Sequence, residues 1–226
     1  GVMSGLIVAL LILGVVIRLV SLHTLVPPSS CGGTFFDGFD GKLDSGWKWF
    51  DPSGNAIYRL TTAGLSLSTP AHSDITPGSN FNPPRFLRPI TGNFTIETRL
   101  EFRPNTNFQS AGLLLWQSPT TFMRIARGVA GPAKESGVFI QTWDQGTFSN
   151  VSTSEQHPTR ARVVELRIQR QGDHFTASWR EPGHIWQPAG ETDLHFESLM
   201  VGVDLVADYN ASPITASYNY FKVSCT

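Results

Sequence analysis

The stretch of sequence that decides the fold is residues 92–128, GNFTIETRLEFRPNTNFQSAGLLLWQSPTTFMRIARG. Apolar and polar residues alternate through residues 94–102, which is the two-residue period of a β-strand with one buried and one solvated face. Residues 111–117 are apolar on both faces and predict a central strand, and residues 121–127 predict another strand after a short turn. The stretch therefore predicts three consecutive strands of an antiparallel meander.

The composition predicts one all-β domain and argues against a nucleic-acid partner. The chain has 226 residues, of which 40% are hydrophobic and 15% charged, so it can bury one substantial core. Its 21 glycines and 15 prolines, with few segments of helical period, are typical of many short strands joined by turns. The formal net charge is −1, without an acidic or basic block, and this provides no electrostatic footprint for nucleic acid.

Short apolar runs bounded by Gly, Pro, Asp or Ser predict further strands on both sides of the central stretch. The clearest is a hairpin formed by residues 162–170 and 174–180. Residues 69–89 contain five prolines and predict a long ordered loop or a lid over one face of the sheet. The other predicted strands cover residues 34–39, 46–50, 56–60, 64–68, 137–143, 185–187, 199–206 and 214–223.

The two cysteines, Cys31 and Cys225, bracket the predicted β domain. This placement predicts a disulfide between the first and last parts of the domain, and two unpaired thiols are the alternative. A disulfide would place the domain in an oxidising compartment outside the cytosol.

The N-terminal segment predicts a membrane anchor. Residues 3–22 are almost continuously apolar and long enough to span a bilayer as a helix, which needs about 20 residues. A signal peptide is the alternative, but no small-residue cleavage site follows the segment. Gly5 and Ala9 are spaced so that another membrane helix could approach closely. The predicted organisation is a transmembrane helix (1–25), a Pro/Ser/Gly linker (26–33) and a β-sandwich (34–226).

The order of motifs in the β domain resembles that of the concanavalin A-like lectin/glucanase superfamily, the laminin G-like jelly roll. The motifs are FDGFD at residues 36–40 followed by Trp47 and Trp49, the strands at 92–102 and 111–116, the hairpin at 164–179 with Trp186, and VGV at 201–203 before 218–223. The resemblance is closest to the non-catalytic C-terminal modules of bacterial β-xylosidases. It implies a jelly-roll β-sandwich over about residues 34–223, in a family whose members commonly bind glycans or act as accessory modules.

One spacing in the chain is similar to a catalytic motif but lacks its central acid. Glucanases of this fold use Glu-x-Asp-x-Glu on one strand face, and here Arg99 stands between Glu97 and Glu101. A guanidinium beside two carboxylates keeps both ionised, whereas glycoside hydrolysis needs one carboxyl held protonated. We therefore predict no enzymatic activity and a solvated strand face at this position.

Two sets of residues are candidates for binding. Asp37, Asp40 and Asp44 lie in a short glycine-containing stretch and could supply oxygen ligands to calcium, although aspartates also form turns. No other cofactor is predicted. The second set is Trp143, Trp186 and Tyr218, which lie next to turns or opposite the predicted buried side. Their rings could contact a sugar or a protein partner, and packing in or at the rim of the core is the alternative.

Together these features predict a non-catalytic single-pass membrane protein with its β-sandwich in the periplasm or at the cell surface. The sandwich is expected to act as a structural or interaction subunit that contacts other membrane or surface proteins, while residues 3–22 contact the bilayer. The alternative is a membrane-anchored carbohydrate-binding module.

Overall fold

β-Strands are the regular elements of the chain in the computed structural model, which describes residues 31–76, 80–129, 136–151, 157–207 and 212–226. Within these ranges there is no α-helix. The strands are β1 (Phe35–Asp37), β2 (Lys48–Phe50), β3 (Ile57–Thr61), β4 (Gly64–Thr69), β5 (Ile75–Thr76), β6 (Asn80–Phe81), β7 (Arg85–Pro89), β8 (Phe94–Phe102), β9 (Gln109–Ser118), β10 (Thr121–Val129), β11 (Ser136–Asp144), β12 (Thr147–Asn150), β13 (His157–Pro158), β14 (Val163–Gln171), β15 (His174–Arg180), β16 (Gln187–Asp193), β17 (Met200–Ala207) and β18 (Ile214–Cys225).

Two large antiparallel sheets form a β-sandwich, which confirms the predicted all-β sandwich. The first sheet has the order β16-β15-β14-β8-β18-β4-β3, and β1 also pairs with β18. The second sheet has the order β12-β11-β10-β9-β17-β7-β2, and β13 also pairs with β11. Strands β5 and β6 form a small separate pair. Strands adjacent in space are often distant in sequence, so the fold depends on long-range pairing.

The core lies between the two sheets and follows the predicted alternation. In β8 the inward residues Phe94, Ile96 and Leu100 are fully buried, whereas the outward residues Thr95, Glu97, Arg99 and Glu101 are partly exposed. Leu113 and Leu115 of β9 face them from the second sheet and belong to the same hydrophobic cluster. Each sheet therefore has an inner face that forms the core and an outer face on which a site can be built.

The predicted meander is corrected in one respect, because β8 belongs to the first sheet and β9 to the second. The polar run between them crosses from one sheet to the other, and the meander in the second sheet is β9-β10-β11. The buried side chain of Gln109 fixes the crossing: its Oε1 accepts hydrogen bonds from the amides of Asn105 (2.8 Å) and Thr106 (3.1 Å). A two-residue period reports which face of a strand is buried, not which sheet the strand joins.

The predicted loop at residues 69–89 is a lid in its first half and a strand in its second. Ile75 packs against the outer face of the second sheet, and Ser73 forms an isolated bridge with Ala207. Residues 85–89, by contrast, form β7 between β17 and β2. The prolines at 83 and 84 lie just before β7 rather than inside it, so they do not interrupt its pairing.

The predicted disulfide is present. The Cys31 and Cys225 sulfur atoms are 2.08 Å apart, and the two Cα atoms are 5.2 Å apart. The antiparallel pairing of β1 with the end of β18, in which Phe35 lies opposite Val223, brings the two cysteines together.

The predicted membrane helix, including Gly5 and Ala9, and most of the linker lie outside the described residues. In the part of the chain that the structure describes, no helix has the length and hydrophobicity needed to cross a membrane.

Candidate functional site

The three aromatic residues predicted to contact a partner do not share a site. Trp143 lies on the outer face of the second sheet, and Trp186 lies over the outer face of the first. Tyr218 is fully buried between the sheets, where its hydroxyl donates to the backbone carbonyl of Asp204 at 2.5 Å. Burial raises the pKa of Tyr218 well above its usual value, so its hydroxyl remains a donor. The prediction for Tyr218 is corrected, because a fully buried ring cannot contact a partner at the surface.

The three aspartates predicted as calcium ligands do not form a metal site among the described residues. Asp37 is buried, and its Oδ1 accepts a hydrogen bond from the Phe39 amide (2.7 Å). Its Oδ2 accepts from the Asp44 amide (3.0 Å) and from Nε1 of Trp47 (2.9 Å). Among the described residues, no group of three His, Cys, Asp or Glu side chains, including Asp37, Asp40 and Asp44, is placed to hold a metal ion. Asp37 instead closes the turn that follows β1.

A row of four aromatic rings in contact crosses the outer face of the second sheet. The strand register places Phe148, Trp143, Phe122 and Trp116 opposite one another on four adjacent strands. Adjacent ring centroids are 4.6 Å apart for Phe148–Trp143, 4.6 Å for Trp143–Phe122 and 5.7 Å for Phe122–Trp116. We refer to these four rings as the aromatic ladder.

Arg85 continues the aromatic ladder toward the far edge of the sheet. Its guanidinium carbon is 4.4 Å from the centre of the Trp116 ring and 5.1 Å from that of Phe50. Nη1 of Arg85 also donates to the Pro83 carbonyl at 2.9 Å. Burial lowers the pKa of Arg85 to about 10, and Asp204 partly offsets this shift. Through Arg85 and Phe50 the row of contacts continues from β12 at one edge of the sheet to β2 at the other.

Most of the aromatic ladder is closed to solvent. Trp116 is 8% exposed, Trp143 is 7% exposed and Phe122 is fully buried, whereas Phe148 at the end is 51% exposed. Ile75 from the lid belongs to the same buried cluster. The ladder is therefore a second small core that stiffens this face, with Phe148 as its accessible end.

A buried ion pair lies beside the ladder on the same face. Nε and Nη2 of Arg124 each donate to a different oxygen of Asp204 at 3.0 Å. Nη1 of Arg124 donates to Oγ of Ser110 (2.9 Å) and to Oε1 of Gln141 (3.2 Å). Arg124 of β10 and Asp204 of β17 lie on the two strands that flank β9, so the ion pair spans β9. The pair is structural, because both charges are fully buried and satisfied.

The sequence contained a signal for this pair that the prediction missed. Arg124 lies within the otherwise apolar run TFMRIA of β10, and Asp204 is the only charged residue of β17, MVGVDLVA. A charged side chain in a strand that is buried on both faces needs an opposite charge nearby. One such strand with an arginine and another with an aspartate therefore predict a buried ion pair between them.

The outer face of the first sheet carries cross-strand ion pairs instead. Arg167 bonds Glu97 at 2.7 Å and Arg162 bonds Glu101 at 2.6 Å. Both glutamates of the Glu97–Glu101 spacing are thus paired with arginines from the neighbouring strand or the residues just before it, not with Arg99. Arg180 of β15 pairs in the same way with Glu165 of β14. We refer to this outer face, from β15 to β1, as the charged face.

Trp186 lies over two arginines of the charged face. The guanidinium carbon is 3.8 Å from the ring centre for Arg167 and 4.3 Å for Arg180. Because each arginine is also held by a glutamate, the indole rests on a fixed support. Trp186 is partly exposed, and the neighbouring Ile185 is 79% exposed. The two residues form an aromatic and aliphatic protrusion on an otherwise charged surface.

A second aromatic pair lies at the other side of the charged face. Phe36 of β1 stacks on Tyr220 of β18, with ring centroids 5.8 Å apart and planes inclined by 22°. Phe36 is 60% exposed. Burial raises the pKa of Tyr220 to about 12, and Glu165 and Glu97 add to this shift, while Arg180 and Arg99 oppose it.

Comparison with known proteins identifies the fold and the family. A model of the beta-xylosidase C-terminal concanavalin A-like domain matches residues 36–221. No curated protein matches the sequence. Among solved structures, a GH43 protein from Bacillus licheniformis superposes with a TM-score of 0.70 at 15% identity, over 84% of this chain and 39% of that chain. The xylan beta-1,4-xylosidase from Bacillus halodurans gives a TM-score of 0.67 at 18% identity, over 84% of this chain and 38% of that chain.

A third solved structure is a functionally unknown protein from Saccharomyces cerevisiae, with a TM-score of 0.64 at 10% identity over 80% of this chain and 97% of that chain. At these identities the structural likenesses show the fold alone, and the chain spans less than half of the two bacterial proteins. The predicted resemblance is confirmed by the family model, which covers most of the chain. The chain belongs to the family of concanavalin A-like domains found at the C-terminus of beta-xylosidases.

Proposed function

We propose that this protein is a non-catalytic, membrane-anchored chain whose extracytoplasmic β-sandwich acts as an interaction subunit of a larger membrane or cell-surface assembly. The observation that carries the proposal is Trp186, which is partly exposed and held on Arg167 and Arg180 beside the exposed Ile185. Tryptophan and arginine are the residues that most often dominate the binding energy of protein interfaces. A ring that is already fixed also loses little conformational entropy on binding.

The charges of the same face argue against catalysis. Glu97, Glu101 and Glu165 each form an ion pair with an arginine. Each carboxylate is therefore occupied by a guanidinium, whereas a glycosidase needs one carboxyl that is free to protonate the glycosidic oxygen. These carboxylates can hold the surface together, but they are poor candidates for a general acid.

Two further observations support a role beside other protein chains or domains. The family to which the chain belongs consists of domains named for their place at the C-terminus of a longer enzyme. The disulfide between Cys31 and Cys225 favours a location outside the cytosol, and the apolar residues 3–22 would hold the domain at the membrane.

Co-purification tests the proposal. The tagged full chain is extracted in mild detergent, and the chains that accompany it are identified by mass spectrometry. We expect one or more partner chains with the wild type and a loss of those partners with Trp186→Ala. Phe148→Ala is the matched control, since it removes an exposed ring from the opposite face and should retain the partners. Recovery of the isolated wild-type chain would contradict the proposal.

Carbohydrate binding is the second candidate function, and the accessible end of the aromatic ladder favours it. Phe148 is exposed and rests on Trp143, so a sugar ring could stack on it. A glycan array probed with the full chain tests this function, and Phe148→Ala should abolish any signal while Trp186→Ala leaves it unchanged. The absence of binding to every glycan would exclude this function for the glycans tested.

A further inference from the structure

The charged face carries cations that have no ionic partner in the part of the chain that the structure describes. Its three glutamates are each occupied by one arginine, and Arg99 and Lys222 form no ion pair with any described residue. Glu97 lies opposite Lys222 in the sheet but is bonded to Arg167. The centre of the face therefore has an excess of positive charge, although the whole chain has a formal net charge of −1.

Arg99 and Lys222 lie next to the stacked pair of aromatic rings. Arg99 of β8 is opposite Tyr220 of β18, and Lys222 is opposite Phe36 of β1. All four side chains project from the outer face, where Lys222 and Phe36 are exposed. We refer to Arg99, Lys222, Phe36 and Tyr220 as the cationic patch. Arg59 at the edge of the same sheet face adds a third cation without an ion pair among the described residues.

We propose that the cationic patch binds an extended acidic segment of a partner protein, with two acidic side chains separated by one residue and an apolar side chain beside them. This inference rests on the proposed function and names the chemistry of the partner.

The spacing of the patch supports an extended segment. Arg99 and Lys222 are diagonal neighbours on adjacent strands, and such residues lie about 7–8 Å apart. In an extended chain, residues i and i+2 project to the same side and are about 6.5 Å apart, at 3.2–3.4 Å per residue. Two acidic side chains at these positions can therefore reach one cation each, while a neighbouring apolar group contacts Phe36.

The composition of the patch favours a protein over a polysaccharide. Three of its four residues are tyrosine, phenylalanine and arginine, which are enriched at protein interfaces, whereas lysine is not. The patch also lies on the open face of a sheet, whereas sites for small sugars are typically concave. Proteins and polysaccharides can both carry acidic groups, so the test includes an acidic polypeptide and an acidic polysaccharide.

The test measures binding of the full chain in detergent to immobilised poly-L-glutamate, with polygalacturonate as the acidic polysaccharide. We expect binding to poly-L-glutamate that weakens as salt is added, because exposed charge pairs are screened. The variant Arg99→Gln/Lys222→Gln should bind at least about tenfold more weakly, as removal of close charge pairs does in other interfaces. Arg103→Gln/Arg160→Gln is the matched control, since it removes two exposed arginines from connecting segments and should bind like the wild type.

Three results would overturn the inference: no binding to poly-L-glutamate at low salt, an equal loss in both double variants, or a preference for polygalacturonate that depends on Arg99 and Lys222. The thermal unfolding midpoint of each variant shows whether a loss of binding reflects misfolding. The co-purification experiment distinguishes a failure of this inference from a failure of the proposed function. If Trp186→Ala loses the partner chains and Arg99→Gln/Lys222→Gln retains them, the interaction subunit stands and the acidic partner does not.

Discussion

At the scale of single residues, the ion pair of Arg124 with Asp204 stabilises the second sheet, because each buried charge is neutralised by the other. Asp204→Ala should reduce the free energy of unfolding by about 3–5 kcal/mol, because it leaves the arginine charge buried without a partner. Urea unfolding followed by tryptophan fluorescence provides the measurement.

The control for this prediction is Glu101→Ala in the largely exposed pair with Arg162. An exposed pair contributes at most about 1 kcal/mol, so this variant should remain close to the wild type. Equal losses for Asp204→Ala and Glu101→Ala would show that the buried pair has no special role in stability.

Tyr220 should make the stability of the protein depend on alkaline pH. Its pKa is about 12 in the folded state and 10.0 when unperturbed, so the folded state retains a proton that the unfolded state has lost between these values. The stabilisation is complete below about pH 10 and is lost as the pH rises toward about 12. In this window the unfolding free energy of the wild type should fall more steeply than that of Tyr220→Phe.

The difference in slope has an upper bound of about 1.4 kcal/mol per pH unit, which corresponds to one proton. Phenylalanine keeps the ring that stacks on Phe36, and all other titrating groups are common to both proteins. If the unfolding free energies of the wild type and of Tyr220→Phe have the same pH dependence, the folded state does not retain the Tyr220 proton.

The residue-level predictions had a clear physical limit. Alternation in a strand shows that neighbouring side chains occupy opposite faces, and Trp143 of β11 lies on the outer face of its sheet, outside the main core. Alternation does not show whether another segment covers an outer face, so partner contact and burial both remained open for Trp143, which is buried. The prediction for Tyr218 chose the wrong face, because β18 has an irregular register between Tyr218 and Tyr220 that shifts the alternation.

At the scale of secondary-structure elements, the approach of β17 to β7 depends on a glycine. A Cβ atom added to Gly202 would overlap the backbone carbonyl oxygen of Phe86 on the neighbouring strand. Gly202→Ala should therefore displace β7 and lower the free energy of unfolding by about 1–3 kcal/mol, as overpacking does.

The measurement is urea unfolding of Gly202→Ala beside Ser66→Ala, which exchanges a small residue on a partly exposed strand position of the first sheet. We expect little change for Ser66→Ala. A Gly202→Ala variant as stable as the wild type would mean that β7 moves away without cost.

Element prediction succeeded where the sequence pattern is local and failed where pairing is distant. Strand β8 and the β14–β15 hairpin follow from alternation and turn residues that are adjacent in the sequence. The sheet to which β8 belongs is set instead by its pairing with β14 and β18, which are 60 or more residues away in the chain. Strand β7 was missed because its preceding prolines resemble a loop, although they lie outside the paired segment.

At the scale of the whole molecule, the disulfide should supply a large part of the stability. It closes a loop with a sequence separation of 194 residues. In the chain-entropy model such a closure contributes roughly 5 kcal/mol by restricting the unfolded chain. Cys31→Ser/Cys225→Ser should lower the unfolding free energy by up to this amount.

Urea unfolding of the wild type with and without reductant checks the same prediction without a substitution. The reductant should destabilise the wild type and leave the double serine variant unchanged. If the wild type and the double variant unfold at the same urea concentration under oxidising conditions, the loop closure does not stabilise the fold.

The order of motifs along the whole chain allowed the family to be predicted where no single motif would have done so. Each motif consists of common residues, so only their order along the chain distinguishes the family. The function of the surface was less predictable, because the charged face assembles residues of β1, β8, β14, β15 and β18 that no local pattern connects.

The covalent link between the two ends of the sandwich also has a mechanical consequence. Cys31 lies just before β1, and Cys225 is the last residue of β18. A pulling force applied to the chain on either side of this pair would pass through the disulfide and not through the strands between them. The hydrogen bonds of both sheets would carry little load, so the domain would transmit tension between its attachments without unfolding.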